Sequence, residues 1–236
     1  MTINTKTNVI EAIKVEPSII ESFVEQPNAL FIFAHGAGAD KSHHFMENFT
    51  AALNEKNINV VRFNFPYMDK RLVDGRKYPP NRMPLLLECF EAVVKHYLNN
   101  NPNNLPIFIG GKSMGGRVAA TLSSSELVYQ VNEKASAGIM GVICIGYPFH
   151  PQKKPEKLRL EPLQETLLPT LILQGDRDAL GDQSEIENYD ISPLCKVYYF
   201  EDGDHDLKPR VKSGYTHAQH LKTAAEQLTR FIHEKS

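Results

Sequence analysis

The chain has 236 residues, of which 42% are hydrophobic and 23% are charged. This composition is that of an ordinary globular protein, and it excludes a disordered chain, a coiled coil and a collagen-like repeat. The 26 basic and 28 acidic side chains leave a net charge of −2, so no basic excess indicates a nucleic-acid partner.

Short apolar runs rich in β-branched and aromatic residues recur along the chain, and such runs are typical of strands buried on both faces. The predicted strands are Ala29–Ala34, Ile58–Phe63, Leu105–Ile109, Ile139–Ile145, Pro169–Leu173 and Lys196–Phe200. The residues up to about Val24 are less regular, and we interpret them as a strand pair that precedes a parallel core.

Apolar residues with helical spacing lie between these strands. The three clearest stripes run from Phe45 to Leu53, from Met83 to Leu98 and from Tyr215 to Ile232. Strands that alternate with helices predict an α/β fold, with a mostly parallel central sheet and helices on both faces. Because the chain has no internal repeat and no convincing linker, we expect a single domain over residues 1–236.

Two stretches interrupt this alternation, Pro66–Pro84 and Tyr147–Pro169. Both are rich in proline and basic residues, and both follow predicted strands. In an open α/β sheet the loops at the carboxyl ends of the strands contact ligands. We therefore expect both stretches to be irregular loops beside a functional site.

The motif at Gly111–Gly115 (GKSMG) indicates a catalytic function. It lies between a predicted strand and a helical pattern. Small residues on both sides of a serine let the chain turn sharply from strand to helix and expose the hydroxyl. The motif predicts Ser113 as a nucleophile. The overlapping GGKS also resembles the end of a P-loop, but Pro106 occupies the position where that loop requires its first glycine, so nucleotide binding is excluded.

A nucleophilic serine needs a histidine as base and a carboxylate that orients the histidine, and in this architecture they follow in the order acid, histidine. His205 follows the last predicted strand and is the best placed of the nine histidines. The acid is Asp176 or Asp178, which share the loop after Pro169–Leu173. We favour Asp178 because it lies further into the loop and has more reach towards the histidine.

Two backbone N–H groups are expected to bind the negative charge that develops on the substrate oxygen. One is that of Met114, directly after the predicted nucleophile. The other is that of Ala37, in the glycine-rich loop that follows Ala29–Ala34. A plain glycine-rich turn is the alternative for this second loop.

No metal, cofactor or disulfide framework is predicted. Cys89, Cys144 and Cys195 are odd in number and far apart, which excludes a zinc site and fits a reducing compartment. A partial match to a calcium loop that starts at Asp176 fails at Leu180, where a ligand is required.

The expected location is the cytoplasm, without membrane contact. The first residues contain no apolar segment typical of a secretory signal. The longest apolar stretch, around Ile139–Ile145, is far too short to span a membrane.

Several motifs together resemble one branch of the α/β-hydrolase superfamily, over a span from Leu30 to near the C-terminus. They are HGAGAD, FNFPY followed by GRKYPPNR, GGKSMGGR, GYPFHPQKKPEKLR, LQGDRDALG and DGDHDLKPR. The branch contains small bacterial predicted hydrolases distantly similar to dienelactone hydrolases. It is also similar to a eukaryotic testis-expressed protein and to a subunit of the non-specific-lethal histone acetyltransferase complex. The resemblance implies Ser113 as nucleophile, Asp178 as acid, His205 as base, and an oxyanion loop at His35–Gly36.

These residues predict a serine hydrolase that acts on small acyl esters or thioesters through an acyl-enzyme and without a cofactor. One alternative is a non-catalytic interaction module with a protein partner, because fold does not fix function and some relatives act as interaction subunits. Another is a hydrolase of peptide or C–C bonds that uses the same three residues.

Basic residues in the two irregular stretches and beside the nucleophile are candidates for substrate binding. The candidates are Lys112, Arg76, Arg82 and Arg159. Arginine suits carboxylates and phosphates, so this local excess indicates an anionic acyl substrate. The alternative is that these side chains are solvated surface charges that pair with nearby acids.

Overall fold

Seven strands form one sheet in the computed structural model, which describes residues 17–125, 128 and 138–235. The strands are β1 (Ile19–Ser22), β2 (Ala29–Ala34), β3 (Ile58–Phe63), β4 (Ile107–Lys112), β5 (Ile139–Ile145), β6 (Thr170–Gly175) and β7 (Cys195–Phe200). They lie in the order β1-β3-β2-β4-β5-β6-β7. The pairing of β1 with β3 is antiparallel and the other five pairings are parallel, which confirms the predicted fold class.

Helices cover both faces of this sheet. They are α1 (His44–Asn54), α2 (Pro66–Asp74), α3 (Met83–Asn99), α4 (Met114–Leu122), α5 (Glu161–Gln164), α6 (Gln183–Ile186) and α7 (His217–Lys235). Successive side chains of a strand point to opposite faces. Leu30 and Ile32 of β2 therefore share a core with α3 and α4, whereas Phe31 and Phe33 share the second core with α1 and α7.

The sequence predicts an irregular loop over Pro66–Pro84, and this prediction is wrong for much of the stretch. Its first nine residues form α2, and its last two begin α3. Pro66 stands at the start of α2, where proline's fixed φ suits a helix and its missing N–H costs nothing. Gly75 ends the helix with a φ of 71°, a conformation that glycine adopts readily.

The stretch Tyr147–Pro169 is mostly turns, with the short α5 inside it. Its beginning is not an exposed loop, because Tyr147 and Phe149 are fully buried. At the N-terminus the structure describes one strand of the expected pair, β1, and residues 1–16 lie outside the described residues. The strand predicted at Leu105–Ile109 begins two residues later and extends to Lys112.

Candidate active site

Ser113 lies at a sharp turn between the end of β4 and the start of α4, with a φ of 53° and a ψ of −115°. A non-glycine residue with positive φ is strained, and such strain is typical of turns that present a nucleophile. The Ser113 amide donates to the Ile145 carbonyl (2.8 Å), and its carbonyl accepts from the Arg117 amide in α4 (3.1 Å). These bonds fix the turn on both sides of the serine.

Glycines on either side of the serine are required by close backbone contacts. A Cβ at Gly111 would lie 2.4 Å from the carbonyl carbon of Gly115, and a Cβ at Gly115 would lie 2.5 Å from the Ala34 carbonyl oxygen. No real side chain tolerates such distances. The turn therefore brings α4 against the ends of β2 and β4 only because these positions lack side chains.

The structure brings Ser113, His205 and Asp178 together. His205 Nε2 lies 2.8 Å from Ser113 Oγ, and His205 Nδ1 lies 2.8 Å from Asp178 Oδ2. An ionised carboxylate can only accept, so Nδ1 carries the imidazole proton and Nε2 accepts from the serine hydroxyl. The three side chains follow β4, β6 and β7, whose carboxyl ends lie at one edge of the sheet. A histidine held in this way can remove the proton of the serine hydroxyl.

Asp178 rather than Asp176 contacts the histidine. The Asp178 carboxylate is fully buried, and it also accepts from the side-chain amide of Gln174 and from the amide of Leu180, each at 2.9 Å. The Asp176 carboxylate instead accepts from the backbone amide of Asp202 at 2.9 Å, which links the loops after β6 and β7. Asp178 is thus held in one orientation towards the imidazole.

The glycine-rich loop that contains Ala37 lies against the serine. A Cβ at Gly36 would be 3.5 Å from Ser113 Cβ. The Gly36 carbonyl accepts from His35 Nδ1 (2.6 Å), and the Ala37 carbonyl accepts from the Tyr67 hydroxyl (3.1 Å). Because a trans peptide directs N–H opposite to C=O, the Ala37 amide points away from the His35 ring.

Met114, the other predicted oxyanion donor, is the first residue of α4. The first amides of a helix have no carbonyl partner within that helix, and they carry partial positive charge. The positions of Ala37 and Met114 fit an oxyanion hole, and that role stays a prediction.

His35 supports the loop as a neutral imidazole. The Phe65 amide donates to its Nε2 at 3.1 Å, so the proton resides on Nδ1, which donates to the Gly36 carbonyl. Burial lowers the pKa of His35 from 6.5 to about 4. The ring therefore stays uncharged at neutral pH and holds the Gly36–Ala37 peptide in one orientation.

A cleft of about 320 Å³ opens beside these residues. Its lining includes the 36–39 loop, Phe45, Lys112, Ser113, His205 and Asp206. The Lys112 ammonium forms an ion pair with Asp206 (Nζ to Oδ1, 3.1 Å), and burial lowers the pKa of that ammonium. The cleft is therefore small, is partly apolar and contains one internal ion pair.

Among the residues that the structure describes, Lys112 is the only one of the four predicted substrate-binding cations that lines this cleft. Arg76 is exposed, and its amide donates to the Asp74 carboxylate. Arg82 is also exposed and lines a different groove. Arg159 is partly buried, and its carbonyl accepts from the Tyr147 hydroxyl. The structure does not gather these four side chains around the serine.

Sequence reasoning missed two positions that support the site. Gln174 is a polar residue that directly follows the apolar run of residues 171–173 in β6, four residues before Asp178. That contrast is a signal that could have identified it. Tyr67 reaches the oxyanion loop from α2, and no local pattern indicates this contact.

Cys144 lies within Ile139–Ile145, which the sequence predicts as a strand buried on both faces. The side chain is fully buried in β5, where its thiol contacts the Gly116 carbonyl, and burial raises its pKa well above the ordinary value. Such a thiol is not a nucleophile at neutral pH. None of the helices in the described residues combines the length and the hydrophobicity that a membrane span requires.

A family model described as an alpha/beta hydrolase domain matches residues 27–233. Similar solved structures include an α/β serine hydrolase homologue from Coxiella burnetii, at 18% identity and a TM-score of 0.63, with 90% of each chain covered. The dienelactone hydrolase of Anabaena variabilis is 15% identical with a TM-score of 0.65, over 93% of this chain and 99% of that one.

A third similar structure is the monoacylglycerol lipase of Paleococcus ferrophilus, which is 12% identical with a TM-score of 0.62. The match covers 94% of this chain and 100% of the lipase chain. At these identities the structural likeness establishes the fold and leaves the substrate open.

Proposed function

Because the chain belongs to the alpha/beta hydrolase domain family, we propose that it is a serine hydrolase that cleaves small acyl esters or thioesters. The observation that carries the proposal is the continuous hydrogen-bonded series from Ser113 through His205 to Asp178, with both contacts at 2.8 Å. The strained backbone of Ser113 and the buried, doubly supported carboxylate of Asp178 add to it.

In the proposed reaction, Ser113 Oγ attacks the acyl carbonyl carbon while His205 Nε2 takes the hydroxyl proton. The amides of Ala37 and Met114 hold the resulting oxyanion, and Asp178 stabilises the imidazolium. When the tetrahedral intermediate collapses, the leaving alkoxide or thiolate takes the proton from His205. Water then gives a proton to Nε2 and attacks the acyl-serine. Collapse of the second tetrahedral intermediate returns this proton from Nε2 to Ser113 Oγ and releases the carboxylic acid.

The cleft supports a short acyl group as substrate. Its volume of about 320 Å³ is near the lower end for small-molecule sites, and Phe45 and Met46 contribute apolar surface. Two of the similar structures are a dienelactone hydrolase and a monoacylglycerol lipase, and both names denote enzymes that cleave esters. This reaction needs no cofactor, since the nucleophile, base and oxyanion donors all come from the chain.

The test is a panel of esters and thioesters with acyl chains of increasing length, assayed with wild-type protein and with Ser113→Ala. We expect turnover of short-chain members by the wild-type protein and a loss of at least about 10⁴-fold in the variant. If folded wild-type protein hydrolyses no member of the panel, the proposal fails. A non-catalytic interaction module, or a peptidase or C–C hydrolase that uses the same residues, would then be the better account.

A further inference from the structure

The Lys112 ammonium is enclosed beside the candidate nucleophile. Its side chain is only 8% exposed. Phe45 lies on one side, with Nζ 5.6 Å from the ring centroid, and a Cβ added to Gly146 would approach Nζ to 3.1 Å. The only ion-pair partner of Lys112 among the described residues is Asp206, whose side chain is 62% exposed at the mouth of the cleft.

This ion pair leaves the cleft without an unpaired lysine or arginine. Lys112 and Asp206 are the only lysine, arginine, aspartate or glutamate side chains that line it in the described part of the chain. Their charges cancel, and the buried carboxylate of Asp178 lies behind His205. An acyl group that ends in a carboxylate would have to displace Asp206 from the ammonium, and it would meet like charge as it enters.

We propose that Asp206 is a specificity-determining residue, because its carboxylate pairs with the Lys112 ammonium. The cleft therefore accepts uncharged acyl groups and rejects anionic ones. The inference rests on the proposed hydrolase function and concerns the substrate class of the same site. Lys112, the basic residue next to the nucleophile, thus pairs with Asp206 and does not bind an anionic substrate.

The side chain of Asp206 can be changed without loss of the loop that carries His205. The Asp206 amide donates to the Asp204 carboxylate (2.9 Å), and its carbonyl accepts from the His217 ring (2.9 Å). Both bonds use the backbone and persist in Asp206→Asn. The asparagine oxygen can still accept from Lys112, but the negative charge that neutralises the ammonium is gone.

The experiment measures kcat/KM for two esters of equal length, one whose acyl chain ends in methyl and one whose acyl chain ends in carboxylate. We expect the wild-type protein to prefer the methyl-ended ester. In Asp206→Asn the ratio is expected to shift towards the carboxylate ester by about tenfold or more, the scale of a hydrogen bond to a charged group. The double variant Asp206→Asn with Lys112→Met is expected to lose this shift.

Glu201→Gln is the matched control, because Glu201 is exposed, lines a separate groove and loses the same charge. The inference is overturned if the wild-type protein prefers the carboxylate ester, or if Asp206→Asn shifts the ratio no more than Glu201→Gln does. Asp206→Ser carries the same expectation and replaces the asparagine variant if that variant does not fold.

A binding measurement separates this inference from the proposed function. Titration of succinate into Ser113→Ala, with and without Asp206→Asn, needs no turnover. We expect the added Asp206→Asn change to tighten succinate binding about tenfold or more. Equal affinities would overturn the inference, whereas tighter binding in a protein that hydrolyses neither ester would overturn only the proposed function.

Discussion

Acidification is expected to destabilise this protein through one buried imidazole, that of His35. The ring has no solvent exposure, accepts from the Phe65 amide at Nε2 and donates to the Gly36 carbonyl from Nδ1. A second proton would have to reside on Nε2, where it would break the bond to Phe65 and place a charge in the core. Burial accordingly lowers the pKa of His35 from 6.5 to about 4.

The size of the effect follows from the difference between the folded and unfolded pKa values. As the pH falls below 6.5, His35 binds a proton in the unfolded chain, whereas in the folded protein it stays neutral down to about pH 4. The free energy of unfolding therefore decreases as the pH falls. The His35 contribution to this loss is about 2 kcal/mol at pH 5 and about 3 kcal/mol at pH 4. Above pH 6.5 both states are neutral at His35, which then contributes no pH dependence.

Urea denaturation at pH 7.5 and pH 5 measures this contribution in the wild-type protein and in His35→Gln, whose amide can donate and accept but does not titrate. The loss of stability between the two pH values is expected to be about 2 kcal/mol smaller in the variant. His44→Gln, which removes an exposed imidazole, is the matched control and is expected to retain the wild-type loss. Equal losses in wild type and His35→Gln would refute this account of His35.

Three further predictions concern the candidate site. Asp178→Asn is expected to lower esterase kcat by about 10⁴-fold, the effect of neutralising the orienting acid of a triad. Asp176→Asn is expected to retain most activity. The reverse result would assign the acid to Asp176. Gly115→Ala is expected to destabilise the fold by about 1–3 kcal/mol in thermal or urea unfolding, because its Cβ meets the backbone of β2. Gly38→Ala, whose Cβ meets nothing within 4 Å, is the control, and equal effects would contradict the packing argument. Tyr67→Phe removes the hydroxyl that donates to the Ala37 carbonyl, and it is expected to lower kcat about tenfold with little change in KM. An unchanged kcat would show that this hydrogen bond does not orient the loop that contains Ala37.

The relative positions of Ser113, Asp178 and His205 could be predicted because they depend on few physical rules. Each follows a strand, and the carboxyl ends of parallel strands meet at one edge of a sheet. The boundaries of β2 and β3 match the prediction because runs rich in apolar residues end there at polar or glycine-containing segments. The choice of Asp178 over Asp176 agrees with the observed contact to His205, and its catalytic role remains a prediction.

Other features depend on packing that the local sequence does not express. The strand β4 continues through two glycines, although glycine has low strand propensity. Glycine is required at position 110 because a Cβ there would lie 2.1 Å from the Ile143 carbonyl oxygen of β5. The helix α2 did carry local signals, with Pro66 at its start and Gly75 at its end, but we read the prolines and charges around it as a loop. The ion pair between Lys112 and Asp206 joins residues distant in the chain, so no local pattern reveals it.

The measurement that tests the central claim most directly is covalent labelling with a fluorophosphonate, followed by intact-mass and peptide analysis. An activated serine displaces the fluoride of such a probe and becomes phosphonylated, whereas an ordinary surface serine does not react. We predict one adduct per wild-type chain, located on Ser113, with no adduct in folded Ser113→Ala and strongly reduced labelling in His205→Ala. Undiminished labelling of Ser113→Ala, or no labelling of folded wild-type protein, would contradict the assignment of Ser113 as the nucleophile activated by His205.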